Sequence, residues 1–180
     1  QREAGRTVVK EVYKESGSKF GESERVLRIN NLGSEDLKKD LALAKEIELD
    51  ALLFSKIQSK EDVLEAVKLI EEVNPNLSLM IMIETPLSVL NIHEICAASS
   101  KVEVVVVGSN KLANRLHIDV KKGSKAMFNY LSQIALASKA YGKTVIDGPH
   151  FDVNDEFACE DSTKDAFNLG FDGKSLVHPI

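Results

Sequence analysis

The chain has 180 residues, of which 43% are hydrophobic and 28% are charged, a size and composition typical of a globular domain with a sizeable core. The formal net charge of −5 gives no electrostatic reason to expect a nucleic acid partner. There is neither a basic run for an anionic membrane surface nor an apolar run long enough to cross a bilayer. Cys96 and Cys159 lie far apart without a partner motif, so the sequence indicates neither a disulfide framework nor a zinc site.

The two ends of the chain predict that it is part of a longer protein. It starts without Met, in the helical pattern QREAGRTVVKEVYKESG, and it stops after LVHPI, at the end of a predicted strand. No signal or transit segment accounts for this start. We expect a cytoplasmic protein, and an organellar matrix stays open because the start of the protein is missing.

Short apolar runs rich in β-branched residues alternate with helical patterns along the whole chain. The predicted strands are 24–30, 50–57, 77–84, 102–108, 143–149 and 173–179.

The helices between these strands carry recognisable start signals. Ser34 is a candidate cap for the helix that follows it, and Ser59 with Asp62 resembles a capping box. Thr85 followed by Pro86 is a cap followed by a residue favoured in the first helical position.

Two later helices carry a stop signal. A long helix over 125–141 is expected to end at Gly142, and another over 157–169 is expected to end at Gly170, both as left-handed C-caps. The connection 111–124 is the longest, and we interpret it as a loop with a short helix.

Strands separated by helices predict right-handed βαβ units and a parallel sheet, which is either open or closed into an eight-stranded barrel. No glycine-rich phosphate loop follows a strand, which argues against a dinucleotide fold. Nearly every predicted strand ends in a chemically capable residue, and a barrel collects all such ends around one mouth. These residues are Arg28, Lys56, Glu84, Asn110, Asp147 and His178. The pattern favours part of a (β/α)8 TIM barrel, with 1–180 forming one incomplete domain.

Glu84 and Arg28 are the strongest candidates for chemistry. A carboxylate directly after LMIMI is costly to bury unpaired, so Glu84 is expected to hold a metal cation or to form an ion pair with Lys56 or Arg28. Arg28 interrupts an apolar strand, where it either binds a carboxylate or phosphate or serves as a structural partner. Periodicity alone leaves these alternatives open.

The other strand ends carry weaker signals. Lys56 is as consistent with a solvated lysine as with a catalytic one, and Asp147 opens DGP, which is first of all a turn signal. His178 precedes Pro179 and fits a packed terminal histidine. The remaining histidines show no metal spacing.

The motifs RVLRIN, LLFSKIQS, MIMIETPLSVLN, VVVVGSNKLA, TVIDGPHFDVND and LGFDGKSLVHPI resemble, in this order, those of the citrate lyase β-subunit family. This resemblance covers nearly the whole chain. It implies a metal-dependent (β/α)8 aldolase fold of which strands three to eight are present. It also implies a carbon–carbon lyase, such as a citryl-CoA, malyl-CoA or citramalyl-CoA lyase, that acts on a short hydroxy- or oxo-acid or its coenzyme A thioester. Assembly as a homotrimer or a larger homo-oligomer is implied as well.

The same resemblance assigns roles to residues. Glu84 matches the family's Mg²⁺ ligand and Arg28 the arginine that neutralises the carboxylate or enolate oxygen of the substrate. Asp147, Gly148 and Pro149 match a segment near the thioester. Lys56, at the end of its strand, is expected to contact substrate.

Two positions depart from the family pattern. The family places an aspartate, its second metal ligand, where this chain has Lys111, next to Asn110, and Gln58 stands where a carboxylate is usual. An ammonium cannot ligate Mg²⁺ and repels it by about 1 kcal/mol or more.

Three interpretations of these two departures follow. The protein is a lyase with weakened metal binding, a lyase in which Lys111 replaces the cation, or an impaired protein that binds acyl-CoA or an organic acid or serves as an assembly subunit. Because neighbouring barrel strands end side by side, we predict a Lys111–Glu84 ion pair.

Overall fold

Six parallel strands form one sheet in the computed structural model, which describes residues 2–16, 20–119, 125–152 and 154–178. The strands are β1 (Val26–Ile29), β2 (Ala51–Phe54), β3 (Ser78–Ile83), β4 (Val102–Val107), β5 (Thr144–Asp147) and β6 (Gly173–Lys174). Each lies within one of the six predicted segments. Their order in the sheet is their order in the chain, and every neighbouring pair is parallel.

Helices fill the connections, as the alternating pattern predicts. They are α1 (Arg2–Ser16), α2 (Glu35–Ala44), α3 (Lys60–Val73), α4 (Pro86–Leu90), α5 (Ile92–Ala97), α6 (Ser109–Arg115), α7 (Lys125–Ala140) and α8 (Glu156–Asn168). The single helix expected after Pro86 is divided at Asn91 into α4 and α5. The short helix expected in the 111–124 connection is α6, and residues 120–124 lie outside the described ranges. None of the helices in the described ranges is long and apolar enough to cross a bilayer.

The sheet has two different faces because side chains alternate along each strand. One face packs against the helices in the main core, where Phe54, Ile81 and Val105 are fully buried. The other face carries a second apolar cluster formed by strand residues alone, namely Ala51, Leu53, Met80, Met82, Val104, Val106 and Ile146. We call it the helix-free face. Continuing the alternation of Met80 and Met82 assigns Glu84 to this face.

Most predicted helix ends are confirmed. Ser59 and Asp62 form a capping box at α3, and Thr85 forms one with Ser88 at α4. Gly142 and Gly170 follow α7 and α8 with φ of 65° and 90°, the left-handed conformation that glycine adopts without a Cβ penalty.

Ser34 is the N-cap residue of α2 as predicted, but the prediction that its side chain makes the capping hydrogen bond is wrong. Ser34 does precede α2, but its hydroxyl makes no capping bond and is buried without a partner among the described residues. The backbone N–H of Leu37 donates instead to the carbonyl oxygen of Ser34, at 3.1 Å. Backbone bonding in the first turn therefore takes the place of the side-chain cap.

The last strand is shorter than predicted. β6 comprises only Gly173 and Lys174, and His178 is exposed four residues beyond it. The predicted strand extended to Pro179, which lies outside the described residues. Lys174 pairs in register with Asp147, so β6 still meets the C-terminal end of β5.

Candidate functional site

Glu84 lies directly after β3 and is almost fully buried, with 1% of its surface exposed. The apolar run of β3 brings it to the strand end, and Thr85 then caps α4, so the chain turns immediately after the carboxylate. Oε2 of Glu84 accepts one hydrogen bond, whereas Oε1 is buried and has no partner among the described residues. A buried carboxylate oxygen without a donor is costly, which marks this position as a candidate functional group.

The partner of Glu84 is Lys111, in the first turn of α6. Nζ of Lys111 donates to Oε2 of Glu84 at 2.8 Å, so the predicted ion pair is confirmed. The Lys111 side chain is 51% exposed, so the pair joins a half-exposed ammonium to a buried carboxylate. The pairing of Glu84 with Lys56 or Arg28, which the sequence left open, is wrong: the structure brings the adjacent β4 connection onto Glu84 instead.

Gly108 explains why this connection approaches so closely. Its backbone N–H donates to the carbonyl of Ile83 at 2.8 Å. A Cβ at Gly108 would lie 2.5 Å from Cβ of Glu84, well inside van der Waals contact. Only glycine therefore allows the end of β4 to pass against Glu84, after which α6 begins and presents Lys111. Nothing in the motif VVVVGSNKLA by itself indicates this role of Gly108.

Gln58, at the second position that departs from the family pattern, contacts the residue next to Glu84. Its side-chain amide donates to the hydroxyl of Thr85 at 2.9 Å, and the backbone carbonyl of Gln58 accepts from the side-chain amide of Asn91 at 2.8 Å. A glutamine there supports the turn after Glu84 and adds no charge to it.

A second ion pair joins the ends of β5 and β6. Nζ of Lys174 donates to Oδ2 of Asp147 at 2.5 Å, and both side chains are 10% exposed. Asp147 is therefore more than a turn residue. Lys174 belongs to the motif GFDGK, but no pattern in the sequence indicated it as a site residue. Next in the chain, Gly148 lies against Ser109: a Cβ there would be 2.0 Å from Oγ of Ser109. The loop after β5 thus packs on the start of α6.

A cavity of about 830 Å³ opens beside this second pair, between the loop after β5, α7 and α8. Side chains of α7 and α8 form its other walls. The lining residues that come from strand ends and the first turn of α6 are Ser109, Asn110, Asp147, Gly148, Pro149 and Lys174. Four predicted site residues, Asn110 and the segment Asp147 to Pro149, therefore line one cavity.

Arg28 and Lys56 are not brought into contact with Glu84. Arg28 is exposed and, within the part of the chain that the structure describes, has no hydrogen bond or ion pair. Its register partner is Leu53 on β2, which in turn pairs with Met80, so Arg28 shares the helix-free face but lies two strands from β3. Lys56 is exposed, with a positive φ of 60°. Among the described residues no ion pair or hydrogen bond joins Arg28 to Glu84, since β2 lies between their strands; that the two lie within the distance spanned by one bound ion stays a prediction.

The residues around Glu84 do not fit a Mg²⁺ site of the kind expected from paired carboxylates. Among the described residues, no three His, Cys, Asp or Glu side chains are grouped so as to hold a metal ion. Mg²⁺ prefers oxygen ligands, commonly one or two carboxylates. Here the single carboxylate already binds an ammonium. A metal ion placed about 4 Å from that ammonium would be repelled by about 1 kcal/mol for each of its charges, even at the dielectric constant of water.

Comparison with known proteins gives consistent findings. A family model described as HpcH/HpaI aldolase/citrate lyase matches residues 1–179. A relative from Cereibacter sphaeroides, named (3S)-malyl-CoA thioesterase, is 34% identical over 160 residues, which cover 89% of this chain and 54% of the relative. The chain thus spans about half the length of this curated relative.

Two solved structures are similar in fold. RipC from Yersinia pestis has a TM-score of 0.80 at 22% identity, covering 94% of this chain and 78% of that one. The citrate lyase beta subunit from M. tuberculosis, complexed with oxaloacetate and magnesium, has a TM-score of 0.73 at 25% identity and covers 86% of this chain and 67% of that one.

Proposed function

The chain belongs to the HpcH/HpaI aldolase/citrate lyase family, and we propose that its six strands are part of a (β/α)8 barrel completed by strands outside these 180 residues. The strand order supports this, because consecutive parallel strands in chain order are the arrangement of such a barrel. The helix-free face supports it as well. Its apolar cluster is made by strands alone, as expected of side chains that fill a barrel interior.

The function that we propose for the full-length protein is carbon–carbon bond cleavage in a short hydroxy- or oxo-acid or its coenzyme A thioester, at a site whose metal chemistry Lys111 has altered. The observation that carries this proposal is the buried Glu84, placed at the end of a strand on the helix-free face and held by Lys111. The ligand class comes from the relatives, since one is named for malyl-CoA and another was solved with oxaloacetate.

The geometry suits the charges of such a reaction. When the bond beside a thioester or keto carbonyl breaks, its electron pair forms an enolate with the charge on the carbonyl oxygen. The hydroxyl on the other fragment loses its proton to a base and becomes a carbonyl, and the enolate carbon then takes up a proton from an acid or from water. A cationic donor next to the forming enolate oxygen lowers the barrier. Lys111 is the described cation nearest Glu84, and Arg28 presents a second on the same sheet face. The cavity beside Asp147, Gly148 and Pro149 offers room for the thioester arm.

The test is product analysis with the full-length protein. Incubation with (3S)-malyl-CoA should release acetyl-CoA and glyoxylate if the carbon–carbon bond is cleaved. Release of malate and free coenzyme A would instead show thioester hydrolysis, the activity named for the 34% identical relative. Glu84→Gln should lower turnover sharply, because it removes the charge that orients Lys111. Unchanged turnover in Glu84→Gln would contradict the assignment of this site.

A second candidate function is binding without turnover, as an impaired acyl-CoA or organic acid binder or an assembly subunit. It is favoured by the same pair, because an ammonium stands where the resemblance places a metal ligand and Gln58 replaces a further carboxylate. Calorimetric binding of malyl-CoA or oxaloacetate with no product after long incubation would select it over the lyase.

A further inference from the structure

We infer that the ammonium of Lys111 takes the place of a metal ion at this site, so that the acid ligand binds directly to a lysine and Mg²⁺ is not required. This inference rests on the proposed function, because it names how that site holds its ligand. It departs from the magnesium complex of the related citrate lyase beta subunit.

The first observation is the position of the charge. Nζ of Lys111 lies 2.8 Å from Oε2 of Glu84, the distance of a charge-assisted hydrogen bond. The two charges cancel locally, and the buried carboxylate, with 1% exposure, no longer needs a cation from solution to balance it. A divalent ion would have to displace the ammonium or lie beside it.

The second observation is that the backbone fixes this position. Gly108 passes so close that a Cβ would lie 2.5 Å from Cβ of Glu84, and its N–H is bonded to Ile83 on β3. Lys111 follows three residues later in the first turn of α6, and Ser109 is packed against Gly148. Lys111 therefore belongs to a segment that packs against both neighbouring strand ends, those of β3 and β5. Such packing holds the ammonium in place before a ligand binds, so that little rearrangement is needed on binding.

The third observation is that Lys111 keeps hydrogen-bond donors that Glu84 does not use. A lysine ammonium has three N–H donors, and one is used by Glu84. With the side chain 51% exposed, the other two can reach the oxygens of a carboxylate or keto group. Oε1 of Glu84 is buried and has no donor among the described residues, so the contact with a ligand falls to the exposed ammonium. The two free donors of the Lys111 ammonium thus suit an oxo-acid, whose keto and carboxylate oxygens both accept hydrogen bonds.

Calorimetric titration of the full-length protein with oxaloacetate tests the inference, once with EDTA and once with millimolar Mg²⁺. We expect the wild-type protein to bind oxaloacetate in EDTA, with an affinity that Mg²⁺ leaves nearly unchanged. Lys111→Gln should weaken binding about tenfold or more, because it removes a charged donor, and Lys111→Arg should retain most of the affinity. Lys68→Gln, an exposed lysine on α3, is the matched control and should bind like wild type.

Magnesium titration gives a readout that does not depend on the acid. The wild-type protein should bind Mg²⁺ weakly, whereas Lys111→Asp should gain millimolar or tighter affinity, because it restores two carboxylates at one place. Tight Mg²⁺ binding by the wild-type protein would overturn the inference.

Two further results overturn it: oxaloacetate binding that appears only with Mg²⁺, or a Lys111→Gln variant that binds like wild type. If malyl-CoA is cleaved only when Mg²⁺ is present, the inference fails and the proposed function stands. If the wild-type protein neither binds nor converts acid or thioester in either condition, the proposed function fails and the inference with it. Thermal unfolding of each variant, compared with Lys111→Arg, separates loss of the charge from loss of the fold.

Discussion

At the scale of single residues, the site is defined as much by glycines as by charges. Gly108 and Gly148 each lie where a Cβ would overlap a neighbour, Glu84 in one case and Ser109 in the other. Neither contact depends on a left-handed backbone, since these glycines do not have positive φ. Their role is close approach, which lets three consecutive strand ends, those of β3, β4 and β5, meet around one carboxylate and the first turn of α6.

Gly108→Ala tests this close approach. The new methyl group would lie 2.5 Å from Cβ of Glu84, so the backbone of β4 must shift, and we expect the free energy of unfolding to fall by about 1–3 kcal/mol. Urea unfolding of the full-length protein measures the change. Gly173→Ala is the matched control, because no atom lies within 4 Å of its Cβ position and its φ is not positive. Equal stability of the two variants would show that β4 is not held against Glu84.

At the scale of elements, the opposite ends of the strands are held by a different type of contact. Arg25, just before β1, donates from its backbone N–H and from Nε to Oδ2 of Asp50, just before β2, at 2.7 and 3.1 Å. The arginine beside it lowers the pKa of Asp50 below its ordinary value of 3.8. These contacts set the start of both strands, whereas the site lies at their other ends.

The lowered pKa makes a pH prediction. A carboxyl whose pKa is lower in the folded state stabilises the protein above its unfolded pKa of about 4, and this contribution is lost as the pH falls through the folded value. Asp50→Asn should therefore lower the free energy of unfolding at pH 7 by about 0.5–1 kcal/mol, a small value because the Asp50 side chain is 41% exposed. The difference from wild type should shrink below pH 4.

Urea unfolding between pH 3 and pH 7 measures this effect. Glu103→Gln on β4 is the control, since Glu103 is exposed and has no hydrogen bond or ion pair within the described ranges. A difference between Asp50→Asn and wild type that does not vary with pH would count against the ion pair as its cause.

At the scale of the whole molecule, several large apolar side chains of the C-terminal half are exposed. Phe157 and Phe167 on α8 are 80% and 77% exposed, and Leu136 on α7 and Leu176 after β6 are also largely exposed. Exposed apolar side chains of this size are typical of surfaces that another part of a protein or another subunit covers.

Self-association is the prediction at this scale. The resemblance to the citrate lyase β-subunit family implies a trimer or a multiple of one, and the exposed apolar residues of α7 and α8 are consistent with a subunit contact. Sedimentation velocity of the full-length protein at micromolar concentrations should show trimers or larger assemblies. Monomer throughout that concentration range would contradict the prediction.

The amino-acid sequence by itself determined where the elements lie and which residues stand at their ends. Short apolar runs rich in β-branched residues located the six strands that the structure describes. Capping residues at Ser59 and Thr85 located two helix starts, and glycines located two helix ends, because these signals act within a few residues. Quoted motifs were enough to identify the family. The Lys111–Glu84 pair could be predicted only by assuming, in addition, that neighbouring parallel strands end side by side, as they do in a (β/α)8 barrel.

The tertiary structure alone decided what the strand ends contact. Glu84 and Lys111 are 27 residues apart, as are Asp147 and Lys174, and no local pattern reports a contact over that distance. The sequence did not indicate the role of Lys174, and it left open a pairing of Arg28 with Glu84 that is absent from the described residues. It also predicted a cap by the hydroxyl of Ser34 that α2 lacks. Each outcome depends on strand order, on register or on whether a backbone carbonyl or a side-chain hydroxyl accepts the hydrogen bond. Those are set by how the sheet and its helices pack together, and a linear sequence does not contain them.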